Sequence, residues 1–495
     1  MPRVNPADRK RVRRPKTRTG CKTCKIRRIK CDEAKPSCRR CTSTGRKCDG
    51  YDVSLEPPSS LVGVRKGLYW TDSLSSRGLR ALQFFQEITV PQLAGSHDHS
   101  LWSHKLLQSA CEDVGMRHAI VALSTLHEDF VTTGEAERTK DSFALQQYNL
   151  SIRQYIKGPS QARPDCIMDY SVASIIYICI ELLQGHYQSA LSLIESSVRL
   201  FYDEVVKAPG LSRWPLEMIE VILDRFQCQI MGLMVKSFAS KVVLPSVRRA
   251  DTLVIPEQFE SVHEANDYFD CYYQTYALSK GSLSAEEIKS YVQILRRWVA
   301  AFDAMLASLG PDLHWRDARM VKLLQIQQLM LNLPSQAKSG VGSGRDAEFT
   351  AIYRQVVDLA ESALHEGGAA PIDSSAPHFV FTLDVDVVGP LYDVACGCRD
   401  PSVRRRALAL LRRYPRREGL WDSLLAARTA ERCMELEEGA AGVVESAADV
   451  PDWARVSHTT AIFNVGERRA TVIFESTGAP ATDSPAISLS EVLEW

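Results

Sequence analysis

CKTCKIRRIKCDEAKPSCRRCTSTGRKC, residues 21–48, holds six of the chain's 14 cysteines. They stand at Cys21, Cys24, Cys31, Cys38, Cys41 and Cys48, so the spacing C-x2-C-x6-C occurs twice, with six residues between the copies. Two halves with one rhythm should fold alike. A tetrahedral zinc takes four ligands, and two independent zinc sites would take eight. Six thiolates supply eight metal–sulfur bonds only if two of them bridge, which favours a two-zinc cluster over one zinc with two idle cysteines. Two Zn(II) ions against six thiolates leave a formal charge of −2, which the surrounding Lys and Arg offset. Iron–sulfur spacings do not fit this pattern, and in a reducing compartment clustered cysteines read as metal ligands rather than disulfides.

Outward from the cysteines, the charge is uneven. The formal net charge of the 495 residues is zero, yet residues 1–50 carry 18 Lys and Arg against 4 Asp and Glu. The rest of the chain carries 42 basic and 56 acidic residues. A basic head on an acidic body predicts a polyanion partner for the head alone. Around a metal cluster, Lys22, Lys25, Lys30, Arg39, Arg40 and Lys47 read as phosphate contacts rather than a solvated face. The run Arg9, Lys10, Arg11, Arg13, Arg14, Lys16 and Arg18 reads as a nuclear localisation signal, a phosphate-binding arm, or both. Residues 1–20, with Pro2 and Pro6 and no apolar periodicity, are expected to be a disordered arm. No apolar leader opens the chain, and the longest apolar run, Val172–Ile180, is interrupted by Ser174 and ended by Glu181. That is far short of the roughly 20 residues that span a bilayer, so a nuclear protein without a membrane partner is expected.

The stretch Cys21–Cys48 resembles the fungal binuclear zinc cluster family of transcription factors, across all six cysteines and the residues between them. The resemblance implies two zinc ions per chain, with Cys21 and Cys38 as bridging ligands and Pro36 in the loop between the halves. It also implies that the first short helix carries Arg27 and Arg28 into the major groove, often at a CGG triplet, with Arg28 the better candidate for a base contact. The chemistry agrees, since an Arg fork bonds both O6 and N7 of guanine. From about residue 79 onward, FFQEITVPQLAG (Phe84–Gly95), RHAIVALSTLHE (Arg117–Glu128) and YPRREGLWDSLLAARTAERCMELEE (Tyr414–Glu438) resemble the helical regulatory domain that follows the cluster in many filamentous-fungal regulators. Many regulators of this build govern metabolic or secondary-metabolite gene sets. The expected division is a basic arm (1–20), the zinc cluster (21–48), a linker (49–73) containing Pro57, Pro58, Ser59 and Ser60, a helical body (74–476) and an acidic, apolar tail (477–495).

The expected fold class is mainly α. Ser284 and Glu287 form a capping box ahead of Ile288, Val292, Leu295, Val299, Phe302 and Leu306 at helical spacing. Asp400 should cap a second helix with Pro401 at its first position and Val403, Ala407, Leu410, Leu411 and Tyr414 on one face, stopped by Pro415. Tyr170–Leu183, Gly185 and Tyr187–Phe201 read as a helical hairpin, and Ala470–Phe474 is the best strand candidate. No coiled coil follows the cysteines, which leaves monomer, homodimer through the body and hetero-partner open.

Nothing in the body reads as catalytic. His97 and His99 lack a third ligand, Gly340, Gly342 and Gly344 follow no strand, and Cys396 and Cys398 read as small buried hydrophobes. Tyr177, Trp298 and Phe302 read as core. Two acidic stretches, residues 434–453 (Glu435, Glu437, Glu438, Glu445, Asp449, Asp452, Trp453) and the C-terminal Ile487, Leu489, Glu491, Val492, Leu493, Glu494 and Trp495, could serve as segments that fold on a coactivator or the transcription machinery. The alternatives are a metabolite-sensing body, which deep pockets converging on charged side chains would support, and a repressor or scaffold that recruits partners.

Overall fold

The computed structural model describes residues 21, 23, 24, 27, 29, 31, 32, 34 and 38–48 of the head. Beyond it are described residues 74–95, 101–134, 142–157, 166–207, 213–233, 253–279, 283–310, 313–333, 346–366, 379–450, 452–463, 469–476 and 488–494. The basic arm, the linker, His97, His99 and the glycines 340, 342 and 344 lie outside them. The chain forms two compact units, residues 1–72 and 73–495. The fold is mainly α, as the periodicity predicts. No helix among the described residues is long and apolar enough to cross a membrane.

In the head, α1 (Arg39–Thr42) is a single turn started by Cys38. The body opens with α2 (Ser76–Phe84), whose cap Ser75 accepts the Gly78 amide at 3.2 Å. A wide π-turn, Phe85–Thr89, joins it to α3 (Val90–Ala94). Pro91 cannot donate to the carbonyl four residues back, and the widened turn makes room for its ring. After α4 (Leu106–Glu112) comes α5 (Val114–Thr133), buried along most of its length. Asp113 starts α5 by accepting the Gly115 and Met116 amides, and Gly134 ends it at φ 75°. Helices α6 (Ser142–Ile156) and α7 (Cys166–Gln184) pack on α5. The predicted hairpin forms between α7 and α8 (Tyr187–Lys207), turning at Gly185 with φ 78°.

Helices α9 (Arg213–Leu233), α10 (Val262–Ser279), α11 (Ala285–Ser308) and α12 (Trp315–Asn332) follow. The capping box of α11 is present: Glu287 donates its amide to Ser284 Oγ at 3.3 Å, and Ser284 donates to Glu287 Oε2 at 2.7 Å. Its buried stripe differs from the predicted one. Trp298, Ala301, Phe302 and Met305 face the core formed with α10 and α12, whereas Ile288 and Val292 stay about two-fifths exposed (39% and 42%). The stripe ran on because periodicity reports a helix but not how far its partners extend along it. Trp298 stacks on Phe302 and donates Nε1–H to the Ala265 carbonyl at 2.9 Å, satisfying the indole in a fully buried position.

The C-terminal core joins α12 to α13 (Asp346–Glu366), α14 (Val388–Gly397), α15 (Pro401–Arg413) and α16 (Ser423–Ala441). Asp400 caps α15 as expected, and Val403, Ala407, Leu410, Leu411 and Tyr414 are all buried. Cys398 is buried there and Cys396 half-buried.

Two small sheets were less visible in the sequence. β1 (Val380–Thr382) lies parallel to β2 (Arg416–Glu418), which turns at Gly419 into β3 (Trp421–Asp422). Gly419 sits at φ 58° with the Gln229 amide where a Cβ would project, so both its conformation and the close approach require glycine. β2 reads RRE, yet all three side chains are buried. Arg417 binds Asp422 at 2.9 Å, and Arg416 binds Glu418 and Asp386 at 2.8 Å each. Glu418 also accepts the Asp386, Val387 and Val388 amides at the start of α14. The second sheet is an antiparallel meander of β4 (Val456–Phe463), β5 (Arg469–Ser476) and β6 (Ser488–Glu494). β5 contains the predicted Ala470–Phe474, with Ala470, Val472 and Phe474 buried in alternation.

Candidate metal centre

The head is organised by sulfur. Cys21, Cys24, Cys38 and Cys41 are fully buried, Cys31 nearly so and Cys48 partly, forming a core of their own. The Sγ atoms fall into two groups of four, Cys21–Cys24–Cys31–Cys38 and Cys21–Cys38–Cys41–Cys48, each lying within 4.8 Å of one another. Both groups contain Cys21 and Cys38. The Sγ separations are 3.6 Å for Cys21–Cys38, 3.7 Å for Cys21–Cys41, 3.6 Å for Cys24–Cys38 and 3.8 Å for Cys24–Cys41. Thiolates bonded at about 2.3 Å in a tetrahedron lie about 3.8 Å apart, so the donor set suits zinc.

The sequence repeat becomes a structural repeat. Cys24 donates its amide to Cys21 Sγ at 3.4 Å, and Cys41 donates to Cys38 Sγ at 3.3 Å. Ile29 N–H reaches the Cys24 carbonyl at 3.2 Å, and Arg46 N–H reaches the Cys41 carbonyl at 3.0 Å. The two sulfurs common to both groups thus each receive a backbone N–H from a cysteine three residues on, which stabilises negative charge on sulfur. Gly45 at φ 66° closes the second turn. The halves are tied by Thr23 Oγ1 donating to the Lys47 carbonyl (3.4 Å) and by Arg27 donating to Thr44 Oγ1 (3.3 Å), while Asp32 accepts the Arg39 amide at 3.0 Å.

Without a cation, this cluster resists ionisation. Burial pushes the Cys21 thiol up to about 12 and raises Cys24 and Cys38 as well. A divalent ion supplies the positive charge that makes thiolates stable there. The head has no other apolar core among its described residues, so metal binding and folding are one event.

Of the predicted DNA contacts, Arg39 and Arg40 are exposed on α1, and Arg27 is half-buried with its guanidinium engaged by Thr44. Arg28, Lys22, Lys25, Lys30, Pro36 and the Arg9–Arg18 run lie outside the described residues. Arg46, which the spacing did not single out, is exposed beside Lys47 and adds to the basic surface. Its only sequence signal was its place among 18 basic residues.

Residues 19–57 match the family model of the fungal Zn(2)-Cys(6) binuclear cluster domain. The chain is 28% identical to the aspercryptin biosynthesis cluster-specific transcription regulator of Emericella nidulans, over an alignment covering 89% of this chain and 91% of the relative. It is 26% identical to a transcription regulator of Purpureocillium lilacinum over 33% of this chain and 44% of that protein. A transcriptional regulatory protein of Schizosaccharomyces pombe is 56% identical over 13% of this chain and 12% of its own length. No solved structure matches the chain. The domain match falls on all six clustered thiols, so residues 19–57 form a fungal-type Zn(2)-Cys(6) binuclear cluster domain whose six cysteines hold two zinc ions, and the chain as a whole is similar to named fungal transcription regulators.

Proposed function

We propose that the head reads CGG-type sites in double-stranded DNA and that the body governs when the bound protein engages the transcription machinery. The observation that supports this most is the pair of four-sulfur groups sharing Cys21 and Cys38, with exposed basic residues around them. In this reading Cys21 and Cys38 bridge the two ions and Cys24, Cys31, Cys41 and Cys48 each serve one. Lys22, Lys25, Lys30, Arg39 and Arg40 bind phosphates, which positions the head without reading sequence. Arg28 carries the guanine contact. Arg27, already hydrogen-bonded to Thr44 across the two halves, acts more on the head's own geometry than on a base edge. The Arg9–Arg18 run directs the chain to the nucleus and adds phosphate contacts.

Residues 74–476 act as the regulatory domain, and the relative named for a biosynthesis cluster supports a metabolic or secondary-metabolite gene set as the target. Binding of the full chain to DNA carrying a CGG triplet and to a scrambled duplex tests the reading. Tighter binding to CGG, lost on zinc chelation, is expected, whereas equal binding to both duplexes would overturn sequence-specific recognition. Mapping of bound genomic sites then identifies the gene set.

A further inference from the structure

Between α9, α10 and α12 the body encloses a cavity of about 300 Å³. That is the lower end of the range for small-molecule sites. Part of the lining is apolar, built by Phe269, Met320, Leu323, Leu324, Met330 and Trp421. The rest is strongly charged. Arg225 binds Asp270 at 2.7 Å and Asp384 at 3.0 Å, and Asp386 and Asp393 complete it. Outside the lining, Arg319 and Arg416 both bind Asp386, and Arg416 also binds Glu418. Four carboxyl groups of the lining (Asp270, Asp384, Asp386 and Asp393) therefore outnumber its one guanidinium, Arg225, even with Arg319 and Arg416 bound to Asp386 from outside it. Such a field repels an anion and favours a cation or an N–H donor.

A second observation is independent of the charge. Gln274 lies in the same lining and is 2% exposed, yet neither Oε1 nor Nε2 has a hydrogen-bond partner. A buried amide with both functions unmet is costly and uncommon. It matches a group that donates and accepts at once, as a carboxamide does.

We propose that this cavity is an effector site for a small apolar molecule bearing an amine or amide nitrogen, its hydrocarbon part against Met320, Leu323 and Trp421 and its N–H toward Gln274 and the aspartates. This goes beyond DNA recognition by the head and stands or falls separately from it.

Three probes of one size and shape separate the possibilities: 4-phenylbutylamine, 4-phenylbutanamide and 4-phenylbutyrate, measured on the zinc-loaded full chain by saturation-transfer NMR titration. The amine and the amide should bind, with the carboxylate at least about tenfold weaker. Gln274→Leu should weaken the amide by several-fold up to about tenfold while leaving the melting temperature of the free protein unchanged or raised, because it removes no hydrogen bond. Val385, a half-exposed residue of the lining, offers a filling variant with little core disturbance. Val385→Trp should abolish binding of the amine and the amide alike, with zinc content unaltered. Carboxylate binding equal to that of the amine, amide binding untouched by Gln274→Leu, binding that survives Val385→Trp, or no binding of amine and amide would each overturn the proposal.

Discussion

Removing a shared sulfur should cost the head twice as much zinc as removing any other. With Cys38→Ala, both four-sulfur groups drop to three donors, and the same holds for Cys21→Ala. With Cys24→Ala or Cys31→Ala the group Cys21–Cys38–Cys41–Cys48 stays complete, and with Cys41→Ala or Cys48→Ala the group Cys21–Cys24–Cys31–Cys38 does. The expected chelator-resistant zinc per full-length chain is therefore about two for the parent, one for each of the four unshared positions, and none for Cys21→Ala and Cys38→Ala. The energetic stakes are large, since a structural zinc contributes roughly 10–16 kcal/mol to folding a small domain. The shared positions also forfeit the amide bonds that Cys24 and Cys41 donate to Cys21 and Cys38. Zinc is counted by atomic emission after dialysis against a chelator, with circular dichroism confirming that the helical body is intact. If Cys38→Ala and Cys24→Ala retain the same amount of zinc, the sulfurs are not shared and the bridging argument is wrong.

Three further outcomes are expected. Arg28→Ala should cost about 1–3 kcal/mol on CGG-bearing DNA and flatten the preference over a scrambled duplex; an equal loss on both duplexes would reassign Arg28 to phosphate binding. Glu437 is fully buried between Arg399 (2.9 Å) and Arg404 (2.8 Å), so Glu437→Gln should destabilise the body by about 3–5 kcal/mol in urea unfolding, and a change within error would show that the pair is dispensable. His127 is buried, with Nδ1 2.9 Å from Thr89 Oγ1 and Nε2 3.1 Å from Gln92 Oε1, and burial lowers it to about 3. The unfolded imidazole takes its proton near 6.5 and the folded one does not. Its contribution is therefore fully present above pH 6.5 and falls by about 1.4 kcal/mol per pH unit down to pH 3. His127→Gln should remove that slope, and an unchanged pH profile would contradict a neutral buried imidazole.

What the sequence disclosed, and what it hid, follows from where the interacting residues sit. The zinc head was legible because six ligands of one cluster fall within a single short stretch. Helices α11 and α15 were legible because a cap and a periodic face are local in sequence. The β1–β2 pairing joins Val380 to Arg416 across a helix pair, so no local pattern announces it. Arg416, Arg417 and Glu418 look like a solvated run, yet each finds its counter-charge in the fold. The one local hint is their setting between Pro415 and Gly419-Leu420-Trp421. The cavity could not be seen at all, since its walls are drawn from residues 225 to 421.

The same distinction between local pattern and tertiary partner bears on how the body acts. Acidic residues interleaved with apolar ones suggested segments free to fold on a coactivator, but the structure commits most of those acids elsewhere. Glu437 is enclosed by two arginines, and Glu438 binds Arg405 at 2.5 Å. Glu435 binds Arg432 at 2.9 Å, and Asp449 accepts the Glu445 and Ser446 amides. At the C-terminal end Ser488–Glu494 is the edge strand β6, with Leu493 buried, Glu491 held by two 2.7 Å bonds from Arg432 and Glu494 on Arg469. Of the apolar members, Val492 and Trp453 stay well exposed (59% and 41%). A coactivator could take this strand by breaking its pairing with β5 and the Arg432–Glu491 link, or by pairing with the edge that has no partner strand among the described residues. The pairing with β5 makes the edge route the less costly of the two, because backbone hydrogen bonds would be gained without others being lost. Disrupting Arg432–Glu491 with Glu491→Gln should therefore leave reporter output from the full chain unchanged if the edge is used, and raise it if release of the strand is the switch.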